Sequence, residues 1–176
     1  MDFFDAAARR YSHKGKFLPD PVPLADLERI AAAGLAAPSG ANQQSVRLVL
    51  LPDEAALAPL RAVAKHGGLD SAPAAIVLLT DGSTQKLSVN FEMEDYAAAA
   101  QTMLLAATAL GYASLWLDSP FFDEGRQAAA LAALGAPAGT RIRVVLPIGK
   151  PDGEGSRREK LPFEQRAFYG RYGAGK

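Results

Sequence analysis

The sequence contains no cysteine and only two histidines, His13 and His66, among its 176 residues. Without a thiol the chain cannot form a disulfide, an iron–sulfur cluster, a Cys-ligated zinc site or a thiolate nucleophile. The two histidines lie far apart in the sequence and do not form the short-spaced pair that is typical of a metal site. These absences disfavour thiol and metal chemistry.

An excess of charge is also missing, because 19 Lys and Arg residues balance 19 Asp and Glu residues. A chain without net charge has no overall field to gather nucleic acid or an anionic membrane surface, and we expect neither partner. The opening sequence MDFFDAAARR has acidic residues and no apolar run before a cleavage site. This is not the pattern of a signal peptide, so we expect a cytoplasmic protein.

The common nucleotide and hydrolase motifs are absent as well. No GxGxxG sequence follows a predicted strand, and neither GxxxxGK[ST] nor GxSxG occurs. Ser83–Lys86 matches S-x-x-K, but its companion motifs are missing, and nine Ser and seven Lys residues give roughly 0.4 such matches by chance. The glycine-rich stretch Asp152–Ser156 carries two carboxylates that would repel a phosphate, and it is predicted to be a turn.

One uncharged run, Tyr96–Leu117, is long enough to cross a bilayer. It is rich in alanine, however, and polar residues interrupt it. Gly111 suits the end of a helix, and the residues after it alternate as in a strand. We therefore predict a buried central helix from about Phe91 and a strand over residues 112–118. A helix that is apolar on every side is buried in a thick core or at a subunit interface.

Hydrophobic spacing and turn residues divide the rest of the chain. Helices are predicted over residues 2–10, 23–37, 53–66 and 122–134, and strands over residues 46–51, 74–80 and 140–148. In the first helix Phe3, Phe4 and Ala7 are expected to face the core. The alternation of strands and helices predicts an α/β or α+β sandwich with about four strands.

No linker long enough to separate two domains interrupts the chain, so residues 1–176 are predicted to form a single domain. From Gly149 onward the sequence becomes polar, then basic and aromatic. Residues 156–176 have little room for another core element, and we expect them to form a tail that packs on the partner subunit. A solvated chain end is the alternative.

Three polar segments could bind a ligand. In Arg10–Lys14, alternate residues of an extended segment point the same way, so Arg10, Ser12 and Lys14 could together grip a phosphate. The loop Pro38–Gln44 carries amide side chains, which suit the edge of a heteroaromatic ring. A third group, Arg158 and Lys160, lies in the tail. Without a ligand, the two basic segments would simply be solvated charges. The loop would be a hydrated loop that caps the next strand.

An acidic cluster formed by Glu92, Glu94 and Asp95 could in principle carry acid–base chemistry. The predicted central helix begins at this point, however, and the positive end of a helix dipole favours acidic side chains. We therefore interpret the cluster as the N-terminal turn of that helix.

In order along the chain, these segments resemble the nitroreductase family of FMN-dependent oxidoreductases. The motifs are R-x-S-x-K at Arg10–Lys14, L-x-x-I-x-x-A-G-x-x-A-P-S-G-x-N-x-Q at Leu27–Gln44, A-L-G-Y around Gly111, I-G-K-P at Ile148–Pro151 and R-x-K-L-P at Arg158–Pro162. Each motif is short, but together they span nearly the whole chain.

The resemblance implies a three-layer sandwich with a mixed, mainly antiparallel sheet of four to five strands flanked by helices. It also implies an intertwined homodimer with FMN at the subunit interface. The residues expected to hold the FMN phosphate are Arg10, Ser12, Lys14, Arg158 and Lys160. The residues expected to contact the flavin ring, commonly from the other subunit, are Pro38, Ser39, Asn42 and Gln44. Ser119 and Pro120 are weaker candidates beside the reactive N5.

The implied reaction has two half-reactions at one face of the flavin, with no catalytic side chain. NAD(P)H reduces the flavin, which then reduces a nitroaromatic, a quinone or a related small molecule. The chain departs from larger family members in its length, in the short stretch between Thr80 and Glu92, and in having Lys14 and Lys160 where many relatives have arginine. The stretch is too brief for the additional helices that often cover the substrate in longer members.

Other functions remain compatible with the sequence. The chain could be a flavin-binding or regulatory protein for which nicotinamide is not the donor. It could be a family variant with dehalogenase, heterocycle-oxidase or flavin-degrading chemistry. It could also be a small α/β interaction domain without a ligand.

Overall fold

A four-stranded sheet forms the centre of the computed structural model, which describes residues 1–82 and 89–174. The strands are β1 (Val46–Leu51), β2 (Ala74–Thr80), β3 (Ala113–Ser114) and β4 (Arg141–Gly149), in the order β1-β2-β4-β3. All three strand pairings are antiparallel, and an isolated parallel bridge joins Ser12 to Ser114. The chance S-x-x-K match at residues 83–86 lies outside the described residues.

The sheet divides the core into two layers, and its strand β2 is buried along its whole length. Its side chains alternate between the faces of the sheet, as in any strand. Ala75, Val77 and Leu79 belong to one hydrophobic cluster, whereas Ile76 and Leu78 belong to the other. The continuous apolar run of this strand is therefore explained by burial on both faces.

Helices cover both faces of the sheet. They are α1 (Phe3–Arg9), α2 (Leu24–Leu35), α3 (Glu54–Ala64), α4 (Gly67–Asp70), α5 (Glu92–Ala109) and α6 (Glu124–Ala133). Helices α3 and α6 pack together on one face, and α2 packs against α5 on the other. The sandwich predicted from the sequence is confirmed, and the alternating elements have the expected order.

The buried side of helix α1 differs from the prediction. Ala6 is its only buried residue, whereas Phe3 and Phe4 are 64% and 81% exposed and Ala7 is exposed. The prediction that Phe3, Phe4 and Ala7 face the core is therefore wrong. This short helix contacts α5, and its aromatic side chains remain on the surface of the chain.

Strand β3 is shorter than the predicted strand over residues 112–118. Ser114 pairs with Ile148, and Leu117 forms an isolated bridge with Val145. In this register Leu115 lies opposite Pro147, which has no N–H group to donate to the ladder. The proline explains the gap between the two paired positions.

Helix α5 contains most of the uncharged run that could have suggested a membrane span. Within the described residues, no helix is both long enough and apolar enough to cross a membrane. Ala99, Met103 and Ala107 of α5 are buried in the core, whereas Met93 and Gln101 are exposed. One side of the helix is thus packed against the sheet of its own chain and another side is not.

Candidate functional site

A cavity of about 500 Å³ opens between the N-terminal segment and the start of the tail, and we call it the basic pocket. It brings together all five residues that the sequence predicts for phosphate binding. They are Arg10, Ser12, Lys14, Arg158 and Lys160. Arg157 adds a fifth cation, and among the described residues that line the pocket none is acidic. The arrangement is suited to an anion.

Backbone contacts hold the N-terminal half of the basic pocket against the sheet. Ser12 bridges Ser114 of β3, and the His13 N–H donates to the Ser114 carbonyl at 2.9 Å. The segment is therefore extended here, so that its alternate residues Arg10, Ser12 and Lys14 can all line the pocket.

The tail is attached to its own chain where it enters the pocket. The Arg157 guanidinium donates to the carbonyls of Ala8 and Arg9 at the C-terminal end of α1, where a helix favours a cation. A methyl group on Gly155 would lie 1.9 Å from the Tyr11 ring. Only glycine therefore allows the tail to pass so close to the N-terminal segment.

The Tyr11 ring that faces Gly155 is supported by a buried histidine. His13 Nε2 lies 2.8 Å from the Lys16 carbonyl, and the Tyr11 hydroxyl lies 3.4 Å from Nδ1. A carbonyl can only accept, so the neutral imidazole carries its proton on Nε2 and leaves Nδ1 to accept from Tyr11. The His13 ring also packs edge-on against Phe17. This histidine therefore has a structural role.

A second cavity of about 290 Å³, which we call the Trp116 cleft, shares Lys14 with the basic pocket. Its other lining residues are His66, Gly68, Leu115, Trp116, Leu117 and Ser119. The indole N–H of Trp116 donates to Asp118 at 2.9 Å, which fixes the ring. The Nδ1 of His66 accepts from the Gly68 N–H at 3.0 Å, so the neutral ring carries its proton on Nε2.

The predicted flavin loop, residues 38–44, lines a different cavity of about 290 Å³. Pro38, Ser39 and Gln44 line it, whereas Asn42 accepts a hydrogen bond from the Gln44 side chain at 3.3 Å. Among the described residues, none lines both this cavity and the basic pocket or the Trp116 cleft. We call residues 38–44 the amide loop. Within one chain it is separate from the predicted phosphate residues.

The acidic cluster does form the first turn of the central helix, as predicted. Two of its members also make specific contacts. Glu92 accepts hydrogen bonds from Thr80 at 3.1 Å, from the Gly82 N–H at 2.8 Å and from Arg143 at 2.6 Å. Asp95 accepts from the Gly40 N–H and from Ser45. These carboxylates connect loops to the helix.

Comparisons with known proteins identify the family. The sequence profile described as the nitroreductase family matches residues 7–67 and 60–150. The chain belongs to this family. A protein of Archaeoglobus fulgidus with the provisional name NADH dehydrogenase/NAD(P)H nitroreductase is 32% identical over 130 residues, which are 73% of this chain and 74% of that protein.

Two further proteins match over almost their full length. The NADH dehydrogenase of Thermus thermophilus is 28% identical over 197 aligned positions, which cover 94% of each chain. A provisionally assigned nitroreductase of Desulfovibrio desulfuricans, solved in complex with FMN, is 28% identical with a TM-score of 0.77. That match covers 93% of this chain and 98% of the other. The resemblance found in the motifs is therefore confirmed for the family and the fold.

Several residues that line the basic pocket and the Trp116 cleft were not predicted. In the basic pocket they are Tyr11, Ser156 and Arg157, and in the Trp116 cleft they are His66, Gly68 and Trp116. Arg157 could have been found from its place in the basic tail. His66 and Trp116 have no comparable signal, because α4 and the segment after β3 meet only in the folded chain. Ser119, a candidate from the sequence, lines the cleft, whereas Pro120 is buried and does not belong to the described lining.

Proposed function

We propose that the protein is an FMN-dependent oxidoreductase that uses NAD(P)H to reduce a small organic acceptor. The observation that carries this proposal is the basic pocket, where cationic side chains from both ends of the chain meet. The relatives named NAD(P)H nitroreductase and the relative solved with FMN support the same activity.

The basic pocket fits the phosphate of FMN. The guanidinium groups of Arg10 and Arg158 offer paired donors to phosphate oxygens, and Lys14 and Lys160 add compact positive charges. The Ser12 hydroxyl adds a neutral donor. With cations on both the N-terminal and the tail side, the pocket can hold a dianion from two directions.

The Trp116 cleft fits the planar ring of the same ligand. Because Lys14 lines both cavities, a ligand with its phosphate in the basic pocket can extend past Lys14 into the cleft. Trp116 and Leu115 offer apolar surface to a flat ring, and the Nε2–H of His66 offers a donor to its polar edge.

When bound, FMN supplies the redox chemistry at its N5 position, and the protein's part is to bind the flavin, orient it and tune its electronics. In this proposal no side chain acts as an acid or a base. The Lys14 ammonium would stabilise the negative charge that the ring gains on reduction. Ser119 and Pro120 remain candidates for backbone contacts beside the reacting position.

The proposal includes a homodimer in which the amide loop of one subunit completes the site of the other. Support comes from the loop, which lines a cavity separate from the basic pocket of its own chain. Further support comes from the large apolar side chains that one chain leaves exposed. They include Phe3, Phe4, Met93, Phe122, Phe163 and Tyr172. Residues 156–176 remain predicted to pack on the partner beyond the part attached to α1, and the cytoplasmic location also stays a prediction.

The acceptor in this proposal is a nitroaromatic, a quinone or a related molecule, reduced after the oxidised nicotinamide has left. Parallel lines in plots of reciprocal rate against reciprocal donor concentration, at several acceptor concentrations, are expected for this ping-pong scheme. Screening of halogenated aromatics and reduced heterocycles, with product analysis, separates the dehalogenase and oxidase variants.

The decisive test is the visible spectrum of the purified protein. We expect a yellow protein that releases FMN on denaturation and is bleached by NADH or NADPH without oxygen, then recoloured by the acceptor. A colourless protein that fails to bind added FMN would contradict the proposal. Tight FMN binding with no bleaching by either nicotinamide would instead indicate a flavin-binding or regulatory protein.

A further inference from the structure

Asp95 connects the two ends of a short loop segment through a single carboxylate. Its Oδ1 accepts from the Gly40 N–H at 2.7 Å, and its Oδ2 accepts from the Ser45 hydroxyl at 2.6 Å. Asp95 is only 3% exposed and lies in the first turn of α5. Residues 40–45, which include most of the amide loop, are thus tied to the central helix at both ends.

The backbone between these two ties is strained. Ala41, Asn42 and Gln44 have φ angles of 49°, 54° and 52°, in the left-handed region that residues with a Cβ rarely adopt. Such conformations persist only where the surrounding structure holds them, and they cluster at functional sites. Inside the loop, the hydrogen bond from the Gln44 N–H to Ser39 at 3.0 Å helps to hold this shape.

A carboxylate is well matched to this position. Ionised Asp95 can only accept hydrogen bonds, and both groups that face it are donors. Close packing adds to the tie, because a methyl group on Gly40 would lie 2.2 Å from the Phe91 ring. The loop backbone therefore lies directly against the start of α5, within reach of Asp95.

We propose that Asp95 is a positioning residue for the flavin: it holds the amide loop in the strained shape that presents Ser39, Asn42 and Gln44 to the ring. This inference rests on the proposed function. Asp95 does not itself touch the flavin in this proposal and acts only through the loop. Loss of its two hydrogen bonds should release the strain and disperse the loop among other conformations.

The chain offers a matched control on the same helix. Glu92 lies one turn earlier and is also a buried carboxylate, but its hydrogen bonds go to Thr80, Gly82 and Arg143 instead of to the loop. Glu92→Gln therefore perturbs the start of α5 without removing a bond to the loop. A general loss of stability affects both variants, whereas a positioning role affects only Asp95.

The test compares Asp95→Ala, Asp95→Asn, Ser45→Ala and Glu92→Gln with the unchanged protein. FMN affinity is measured by quenching of FMN fluorescence, and hydrogen exchange of residues 38–45 is measured without FMN. For Asp95→Ala we expect about a tenfold or greater loss of FMN affinity and faster exchange in the loop. Ser45→Ala should lose less, Asp95→Asn should recover most of the affinity because it keeps the shape and one acceptor, and Glu92→Gln should bind FMN normally.

Three results would contradict the positioning role of Asp95. If Asp95→Ala loosens the loop but binds FMN as tightly as the unchanged protein, the positioning role is overturned and the proposed function stands. If Glu92→Gln weakens FMN binding equally, the effect is general destabilisation. If the unchanged protein binds no FMN, the proposed function and this inference both fall. Should Asp95→Ala not fold, Ser45→Ala decides: normal FMN affinity with a loosened loop overturns the inference.

Discussion

The basic pocket and the amide loop are built in opposite ways. The pocket combines residues from the two ends of one chain, with Arg10 and Lys14 on one side and Arg158 and Lys160 on the other. The amide loop is a local structure of seven residues, held in shape by Asp95 and lining a cavity of its own. The basic pocket is formed within one chain, whereas the amide loop lines a cavity that shares no described lining residue with the pocket.

In the proposed dimer, this difference would explain how a small domain can hold a large cofactor. A chain of 176 residues has limited internal volume, and its core is occupied by the sheet and its two apolar layers. A site divided between a phosphate pocket and a ring-contacting loop on another copy uses surface instead of core. The exposed aromatic side chains of α1 and of the tail are consistent with such a second copy.

The largest expected effect comes from the pocket. Arg10→Ala together with Lys14→Ala removes two charge-assisted contacts to phosphate and should weaken FMN binding by about a hundredfold or more. Fluorescence titration with FMN measures the change. Arg126→Ala with Lys150→Ala removes two charges from exposed positions outside the pocket lining and serves as the control. Equal FMN affinity in the two double variants would show that the pocket does not hold the phosphate.

A mixed dimer tests most directly whether the basic pocket and the amide loop of one site come from different subunits. One chain carries Arg10→Ala with Lys14→Ala, and the other carries Asn42→Ala with Gln44→Ala. If pocket and loop act in different subunits, each mixed dimer keeps one intact site, and random pairing restores about a quarter of the FMN sites.

Co-expression of the two chains, followed by measurement of bound FMN per subunit, gives the answer. Each double variant expressed alone provides the background. Bound FMN no higher than the average of the two backgrounds would place pocket and loop of one site in the same chain, contrary to the proposed dimer.

A smaller effect is expected where the tail enters the pocket. Gly155→Ala brings a methyl group into the Tyr11 ring, so either the ring or the tail must move. Arg158 and Lys160 follow in the sequence, and we expect a loss of FMN affinity of several-fold, roughly the value of one neutral hydrogen bond. Gly125→Ala, in α6, meets only Asp123 at 3.4 Å and is the control. Unchanged FMN affinity in Gly155→Ala would show that the close passage over Tyr11 is not needed.

Most of the fold was predictable because its elements have simple local causes. The apolar run of β2 reflects burial on both faces of the strand. The spacing of apolar residues in α2 and α5 reflects burial on one side of each helix. The prediction for α1 failed because a periodic pattern identifies an apolar face without saying what covers it. The short β3 was missed because the break depends on Pro147 in another strand, which no local pattern reveals.

The candidate site was predictable where chemistry is concentrated in a short segment. Alternation indicated Arg10, Ser12 and Lys14, and the resemblance added Arg158 and Lys160. Asp95 had been interpreted only through the helix dipole, because its bonds to Gly40 and Ser45 join positions 55 and 50 residues apart. Contacts of this range arise from the packing of α5 against the loop and leave no spacing that a single sequence could show.

The smallest expected effect concerns a hydrogen bond between the parts of the chain that adjoin the amide loop and the basic pocket. The Tyr112 hydroxyl donates to Asp26 at 2.8 Å and so joins α2, which leads to the amide loop, to the start of β3, which holds Ser12. Burial, then the hydrogen bond and the negative charge of Asp26, raise the pKa of Tyr112 above its ordinary value of 10.0. The protonated phenol is thus favoured in the folded state, and the resulting stability is complete below pH 10 and is lost as pH rises from there through the folded-state pKa.

Tyr112→Phe removes this bond, and at pH 8 it should lower the free energy of unfolding by about 0.5–1.5 kcal/mol, the usual net value of one hydrogen bond. Above pH 10 the unchanged protein loses that advantage, so the two unfolding midpoints should converge. Chemical denaturation at pH 8 and at pH 11 measures both, with the exposed Tyr172→Phe as control. Because neither the basic pocket nor the amide loop is altered, FMN affinity should stay within about twofold. A larger loss would mean that the position of the amide loop depends on α2 as well as on Asp95.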